Sequence, residues 1–279
     1  MKNIAYLGPE GTFTHSAALT LLTEEPYKES RLIPYADISD VLYAVQDKKA
    51  DFGVVPVENS IEGSVNTSID MLINEVDLWI LSEIVLPITH NLVASPALEK
   101  PAKVFSHPQA LAQCRMFLKD HYPEIVKVPV SSTVMSLTYI EQNPGEHAAI
   151  VPSFSVDRNR FQVLYEDIGD YPMNQTRFYL VSVAKESPAC APCKSSISFE
   201  LKTDRPGGLL EILALFNKKN INLTKIESRP AKHKLGSYIF IIDCEADLEA
   251  PDNQIILDGI TEQASRWKLL GVFGILGEA

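Results

Sequence analysis

Four polar clusters in this chain stand where a short apolar run gives way to a turn. Asn174-Gln175-Thr176-Arg177 leads into Phe178-Tyr179-Leu180-Val181-Ser182-Val183, a run with the composition of a buried strand. A guanidinium at the mouth of a core strand is costly unless an anion meets it, and Arg177 suits a carboxylate held through two parallel hydrogen bonds. Glu58-Asn59-Ser60 closes the apolar run 51–57, Gly8-Pro9-Glu10-Gly11-Thr12 closes 3–7, and Ser106-His107-Pro108-Gln109 closes 103–105. Each of these three opens a helical pattern, and the free N–H groups at a helix start attract anions. Taken singly, every one is as readily a cap or turn. Their recurrence at strand ends points to one crevice, because ligands of open α/β sheets lie at the carboxyl ends of the strands. His15 and His107 titrate near neutrality, but each fits a helix start and ranks behind Glu58 as an acid.

The elements that must hold these groups follow from periodicity. A strand at 3–7 precedes a helix with Ala18, Leu21 and Leu22 on one face. A strand at 32–36, a helix carrying Val41, Leu42 and Val45, a buried strand at 51–57 and a helix with Ile69, Leu72 and Ile73 complete a first lobe. Residues 78–93 are strand-rich without helical period and read as a crossing into a second lobe. There a strand at 103–105 precedes a helix with Leu111, Cys114, Phe117 and Leu118 as its apolar side, and Gln109 and Gln113, four apart, share the opposite face. A strand at 126–130, the cap Ser131-Ser132-Thr133, a helix through Ile140, a strand at 148–151 and a short helix near Ser153 follow. The chain then returns to the first lobe, which is expected to comprise 1–77 and 170–186, with 78–169 as the second. The proline-punctuated 187–194 reads as a linker. Residues 195–279 change grammar to βαββαβ, a small α+β sandwich.

A chain of 279 residues with net charge -11 and pI ≈ 5.0 carries no Lys/Arg stripe of the kind nucleic acid requires. No segment stays apolar long enough to cross a bilayer and no apolar leader follows Met1, so the expected location is cytoplasmic, with small molecules or further copies of the chain as partners. The glycine turn at 8–11 lacks dinucleotide and P-loop spacing. Of Cys114, Cys190, Cys193 and Cys244, only Cys190-Ala191-Pro192-Cys193 has metal or redox spacing. It lacks a second pair, so reduced thiols are expected.

These motifs together resemble bacterial monofunctional prephenate dehydratases. The likeness runs end to end: Gly8-Pro9-Glu10-Gly11-Thr12-Phe13-Thr14, Val55-Pro56-Val57-Glu58-Asn59-Ser60-Ile61-Glu62-Gly63, Ser106-His107-Pro108-Gln109-Ala110-Leu111 and Asn174-Gln175-Thr176-Arg177-Phe178. No helical chorismate mutase segment precedes the first strand, so the monofunctional arrangement is expected. The resemblance implies a two-lobed, periplasmic-binding-protein-like (type II) α/β catalytic domain with its site between the lobes. It also implies a ferredoxin-like ACT domain that binds amino acids where two such domains pair. Gly207-Gly208-Leu209-Leu210 stands where the family has Gly-Ala-Leu-Leu, and Glu227-Ser228-Arg229-Pro230 matches a second effector motif.

By the same resemblance, prephenate loses a carboxylate and a hydroxyl to give phenylpyruvate for phenylalanine synthesis. Aromatisation drives the reaction, so no metal or redox cofactor is expected. Thr176 is the residue most tied to activity and is expected to contact the leaving hydroxyl. Arg177 would grip a carboxylate, and Glu58 is the better acid if burial raises its pKa, an N-cap being its alternative. Thr12, Asn59, Ser60, Gly63, Ser64, Ser106, Gln113 and Asn174 would position substrate, with Phe178 on the floor. L-Phenylalanine would bind at Gly207, Gly208, Leu209, Leu210, Asn222, Glu227, Ser228, Arg229 and Pro230 in a homodimer or homotetramer assembled through ACT domains, and restrain the cleft. Two rivals stay open: a silent carboxylate sensor with the same lobes, and an arogenate dehydratase, which an acidic group near Asn59 or Ser106 would favour.

Overall fold

The computed structural model describes residues 1–96, 98, 100–185, 193–233 and 236–276. The first lobe runs β1 (Asn3–Leu7), α1 (Phe13–Leu21), β2 (Arg31–Tyr35), α2 (Ile38–Gln46), β3 (Phe52–Asn59), the two-residue β4 (Gly63–Ser64), α3 (Asn66–Asn74) and β5 (Trp79–Pro87). The second runs β6 (His90–Ala94), β7 (Lys103–Ser106), α4 (Pro108–Gln113), α5 (Arg115–His121), β8 (Val126–Pro129), α6 (Met135–Gln142), β9 (His147–Pro152) and β10 (Gln162–Tyr165). The chain then returns through β11 (Gln175–Ser182). The C-terminal unit is β12 (Lys194–Leu201), α7 (Gly208–Lys218), β13 (Leu223–Pro230), β14 (Tyr238–Cys244), α8 (Gln254–Gln263) and β15 (Ala264–Leu276).

Among the described residues the two lobes share one strand logic. Lobe one is ordered β2-β1-β3-β11-β5 and lobe two β8-β7-β9-β6-β10. In each, three parallel strands are followed by an antiparallel strand that has crossed from, or is about to receive, the other lobe. Alternation sorts the side chains of β1. Ile4 and Tyr6 pack with Ala17, Ala18 and Leu21 of α1 on one face, while Ala5 packs with Val41, Leu42 and Val45 of α2 on the other. β11 does the same: Phe178 and Leu180 join the α1 side, Tyr179 and Val181 the α2 side.

Three expectations are corrected. Strand order places β5 in lobe one, so the crossing falls at Ile88-Thr89 and not at residue 78. The helix expected through Leu118 breaks at Cys114, because the distant Asp170 carboxylate accepts from the N–H groups of Met116 (3.0 Å) and Phe117 (3.3 Å) and starts α5 afresh. Most of the expected linker, Cys190 included, lies outside the described residues, and Lys194 already belongs to β12. Burial pushes the Cys244 thiol up to about 12 and also raises that of Cys114, as expected of inert thiols.

The C-terminal strands are antiparallel in the order β13-β14-β12-β15, the βαββαβ arrangement expected. They are not a separate body. The last strand outruns its own sheet, and Gly274–Leu276 pairs in parallel with Ser82–Ile84 of β5, so one ten-stranded sheet joins this unit to lobe one. Gly271 makes the junction possible: a Cβ there would lie 2.3 Å from the Ile80 carbonyl oxygen. Gly271→Ala must push β15 off β5, and a loss of roughly 1–3 kcal/mol is expected, read as a lowered urea midpoint. An unchanged midpoint would mean that the junction yields freely.

Candidate active site

Between the lobes lies a cleft of about 360 Å³. Lobe one contributes Thr12, Phe13 and Thr14 at the start of α1, Pro56 and Asn59 of β3, and Thr176 and Phe178 of β11. Lobe two contributes His90, His107, Gln109, Gln113 and the turn Ser131-Ser132-Thr133. Gly11 lets the lobes close on each other. Its φ of +81° is open to glycine at little cost, and a Cβ there would stand 2.9 Å from the Val134 side chain across the cleft.

A bulge decides which groups look into this space. Thr176 pairs with Asn59, Arg177 with Glu58 and Phe178 with Pro56, so Val57 is the extra residue on β3. Directly opposed residues share a face. Thr176 and Asn59 therefore point to the cleft together, and Arg177 and Glu58 point away from it together.

The polar groups on the cleft side form a chain with a fixed direction. The backbone N–H groups of Ile61 and Glu62 donate to Asn59 Oδ1 (3.0 and 3.1 Å), which leaves Asn59 Nδ2 as donor. It donates to Thr176 Oγ1 (2.9 Å) and to Asn174 Oδ1 (2.8 Å). Asn174 Nδ2 donates in turn to Gln113 Oε1 (3.1 Å), across the lobes, and Gln113 Nε2 donates back to Glu62 Oε1 (3.2 Å). Thr176 Oγ1 accepts a hydrogen bond from Asn59, and among the described residues no acceptor takes its own proton. The hydroxyl is a donor aimed at whatever fills the cleft.

Among the described residues, those lining the cleft include no Lys, Arg, Asp or Glu. The cleft offers hydroxyls, amides and helix-start N–H groups, beside the apolar surfaces of Leu7, Ile38, Pro56, Val65, Ile88 and Phe178.

Arg177, expected to meet a ligand carboxylate, lies on the face of β11 turned away from the cleft. On the far face its guanidinium lies 3.2 Å from Glu58, 3.4 Å from Glu83 and 3.4 Å from Asp243 of β14. Lys194 (2.9 Å from Glu83) and Lys225 (3.8 Å from Glu58 and 3.1 Å from Glu227) extend this network between the catalytic sheet and the C-terminal unit. Burial works against the Arg177 charge, but Glu83, Glu58 and Asp243 outweigh it and raise its pKa. Burial raises that of Asp243. Glu58, paired here, is not placed to protonate a ligand in the cleft.

The other expected site residues divide. Thr12 caps α1, accepting from the N–H of His15 (3.3 Å) while lining the cleft. Ser60 accepts from the N–H of Gln175 (3.0 Å) and Gly63 turns the chain into β4, so both hold the loop that carries Asn59. Ser64 donates to Glu227 (2.6 Å) and Ser106 to the Ile150 carbonyl (2.6 Å), so both hydroxyls are engaged structurally. His90, Phe13 and Glu62 had no place in the expected site. The polar pair His90-Asn91 interrupting an apolar run was the one signal for His90.

In the C-terminal unit, Gly207, Gly208, Leu209 and Leu210 form the turn and first residues of α7, with Leu210 exposed. Asn222 donates to Glu245 (2.9 Å). On β13 the alternation exposes Ser228 and Pro230 and turns Glu227 and Arg229 toward lobe one, where Arg229 bonds Asp70 and Asn66, both at 2.6 Å. The second effector motif thus also ties the unit to α3.

A two-lobed α/β unit with a polar interlobe cleft thus shares its sheet with a βαββαβ unit. Residues 4–186 match the prephenate dehydratase family and residues 195–253 the ACT domain. The chain is 39% identical over 279 residues to prephenate dehydratase of Methanocaldococcus jannaschii, covering 98% of each chain. It is 40% identical over 273 residues to the bifunctional chorismate mutase/prephenate dehydratase of Aquifex aeolicus, covering 97% of this chain and 73% of that one. A prephenate dehydratase from Arthrobacter aurescens, solved in complex with L-Phe, superposes with a TM-score of 0.85 at 33% identity over 98% of this chain and 90% of that one. The chain belongs to the prephenate dehydratase family and is a dehydratase with a C-terminal ACT domain.

Arg177→Met would strand buried carboxylates, and a stability loss of about 3–5 kcal/mol in urea unfolding is expected. A variant as stable as the wild type but with a raised KM would return Arg177 to the substrate.

Proposed function

We propose that the cleft converts prephenate to phenylpyruvate by decarboxylative dehydration, with Thr176 as hydrogen-bond donor to the departing hydroxyl. The observation that carries this reading is the directed bond from Asn59, which leaves the Thr176 proton free for a ligand. In the reaction the bond from the ring to its carboxylate breaks and releases carbon dioxide. Its electron pair closes the aromatic ring, and the carbon–oxygen bond on the far side of the ring breaks. The prephenate dianion and one proton give the phenylpyruvate anion, carbon dioxide and water. Threonine holds its own proton too tightly to surrender it outright. It stabilises negative charge on the departing oxygen, a role realised most strongly in the transition state.

The cation-free lining fits the other half of the reaction. A ring carboxylate facing Pro56, Phe178 and Ile88 loses hydration and has no counter-ion to hold its charge in place, which favours release as neutral carbon dioxide. The side-chain carboxylate then falls to the helix starts and to Gln113. Glu62, bonded to Gln113, is the acidic group near Asn59 that an amino substrate would need, so arogenate is the second reading. Turnover of both compounds separates the readings. Thr176→Ala should lower kcat by about 10²–10³-fold with folding intact, and prephenate should exceed arogenate in kcat/KM. Full activity in Thr176→Ala, or binding of prephenate without product, would refute the proposal.

Feedback by L-phenylalanine at the ACT domain belongs to the same proposal, supported by the complex of the Arthrobacter aurescens relative. The contact between Asp243 and Arg177, next to Thr176 on β11, gives such a signal a short path. Saturating phenylalanine should depress turnover in the wild type and do so less in Asp243→Asn. Equal turnover with and without phenylalanine in the wild type would remove the regulatory part.

A further inference from the structure

We infer that His90 is a positioning residue of this cleft: its Nε2–H holds the Gln113 carboxamide in one sense, so that Gln113 meets the substrate with its amino group. The inference rests on the reading that Gln113 faces substrate. His90 is the first residue of β6, 3% exposed, with Nε2 3.2 Å from Gln113 Oε1. Distance alone leaves open which atom donates, but the chain of amides closes the question. Backbone N–H groups at Ile61 and Glu62 can only donate, so Asn59 must offer its oxygen to them and its nitrogen to Asn174. Asn174 must then offer its own nitrogen to Gln113, whose oxygen is therefore the acceptor. His90 meets that same oxygen and has to donate.

The proton of neutral His90 thus sits on Nε2. The other ring nitrogen, Nδ1, is buried with no hydrogen-bond partner among the described residues. The edge of the ring packs against Phe13 of the opposite lobe, centroids 5.5 Å apart at 83°. Charging Nδ1 would bury a cation with no acceptor. Burial lowers the His90 pKa, against the opposing influences of Gln113 and Asp167.

The consequence falls on the substrate. Gln113 Oε1 accepts from both Asn174 and His90, and one hydrogen of Nε2 goes to Glu62. The second hydrogen is left for the cleft that Gln113 lines. A reversed carboxamide would set its oxygen against Glu62 and against an incoming carboxylate, in a cleft whose lining has no cation to compensate. His90 and Asn174 together forbid that reversal.

In wild-type protein labelled with 15N-histidine, His90 at pH 7 should be the neutral Nε2–H tautomer. An Nδ1–H tautomer or a doubly protonated ring would overturn the inference without any variant having to fold. His90→Phe keeps a ring against Phe13 and removes the donor. It should raise KM for prephenate roughly tenfold, the scale of one hydrogen bond to a binding group, and leave kcat within about twofold. His90→Gln, which retains an N–H donor, should recover part of the loss. In a Gln113→Ala background the cost of His90→Phe should vanish. The same cost in both backgrounds would overturn His90 alone. Gln113→Ala with wild-type kinetics would overturn the assignment of Gln113 to the substrate, and His90 with it.

Discussion

Strand β11 is confined between β3 and β5, and its two faces answer to different parts of the molecule. Thr176, with Phe178, looks into the cleft. Arg177, between them, is held by carboxylates from β3, β5 and β14. Such a cluster is costly to desolvate and only weakly stabilising when complete, yet strongly destabilising when one member is missing. It therefore acts less as glue than as a register pin. The backbone at Arg177 cannot shift without separating charges in a poorly solvated place, and Thr176 is one peptide bond away. The bulge at Val57 supplies the complementary adjustment on β3, turning Asn59 to the same side as Thr176.

Hydrogen-bond direction is the second organising constraint. Backbone donors at Ile61 and Glu62 impose a polarity on Asn59 that runs through Asn174 to Gln113 and His90, from lobe one to lobe two. A cleft built in this way presents donors to an anion without placing a fixed positive charge beside it. Under the proposed reaction one carboxylate must lose its charge while another is held, and a cleft of neutral donors and apolar wall suits that pair of demands better than a central arginine would.

Much of this was legible in the sequence because each lobe obeys local rules. Strand runs, glycine turns and capped helix starts fixed the lobe, crossing, lobe, return order, and polar groups at strand ends marked Thr12, Asn59, Gln113, Asn174 and Thr176. The departures came from non-local features. Arg177 and Glu58 were assigned to the ligand because strict alternation, the only rule a sequence offers, cannot register a bulge set by the partner strand, nor a carboxylate arriving from Asp243 more than sixty residues later. Ser64 and Ser106 looked like ligand hydroxyls because sequence does not say that Glu227 or the Ile150 carbonyl will engage them first. The end of β15 was invisible for the same reason: its partner, β5, lies almost two hundred residues earlier.

That shared strand also shields a flank. β5 would otherwise end the lobe-one sheet with Ser82–Ile84 unpaired on one side, the kind of open border that recruits strands from neighbouring molecules. The C-terminal unit thus covers this border, and its Asp243 supplies one of the counter-charges of Arg177. Shedding the whole unit would leave a sticky, electrostatically unbalanced remnant.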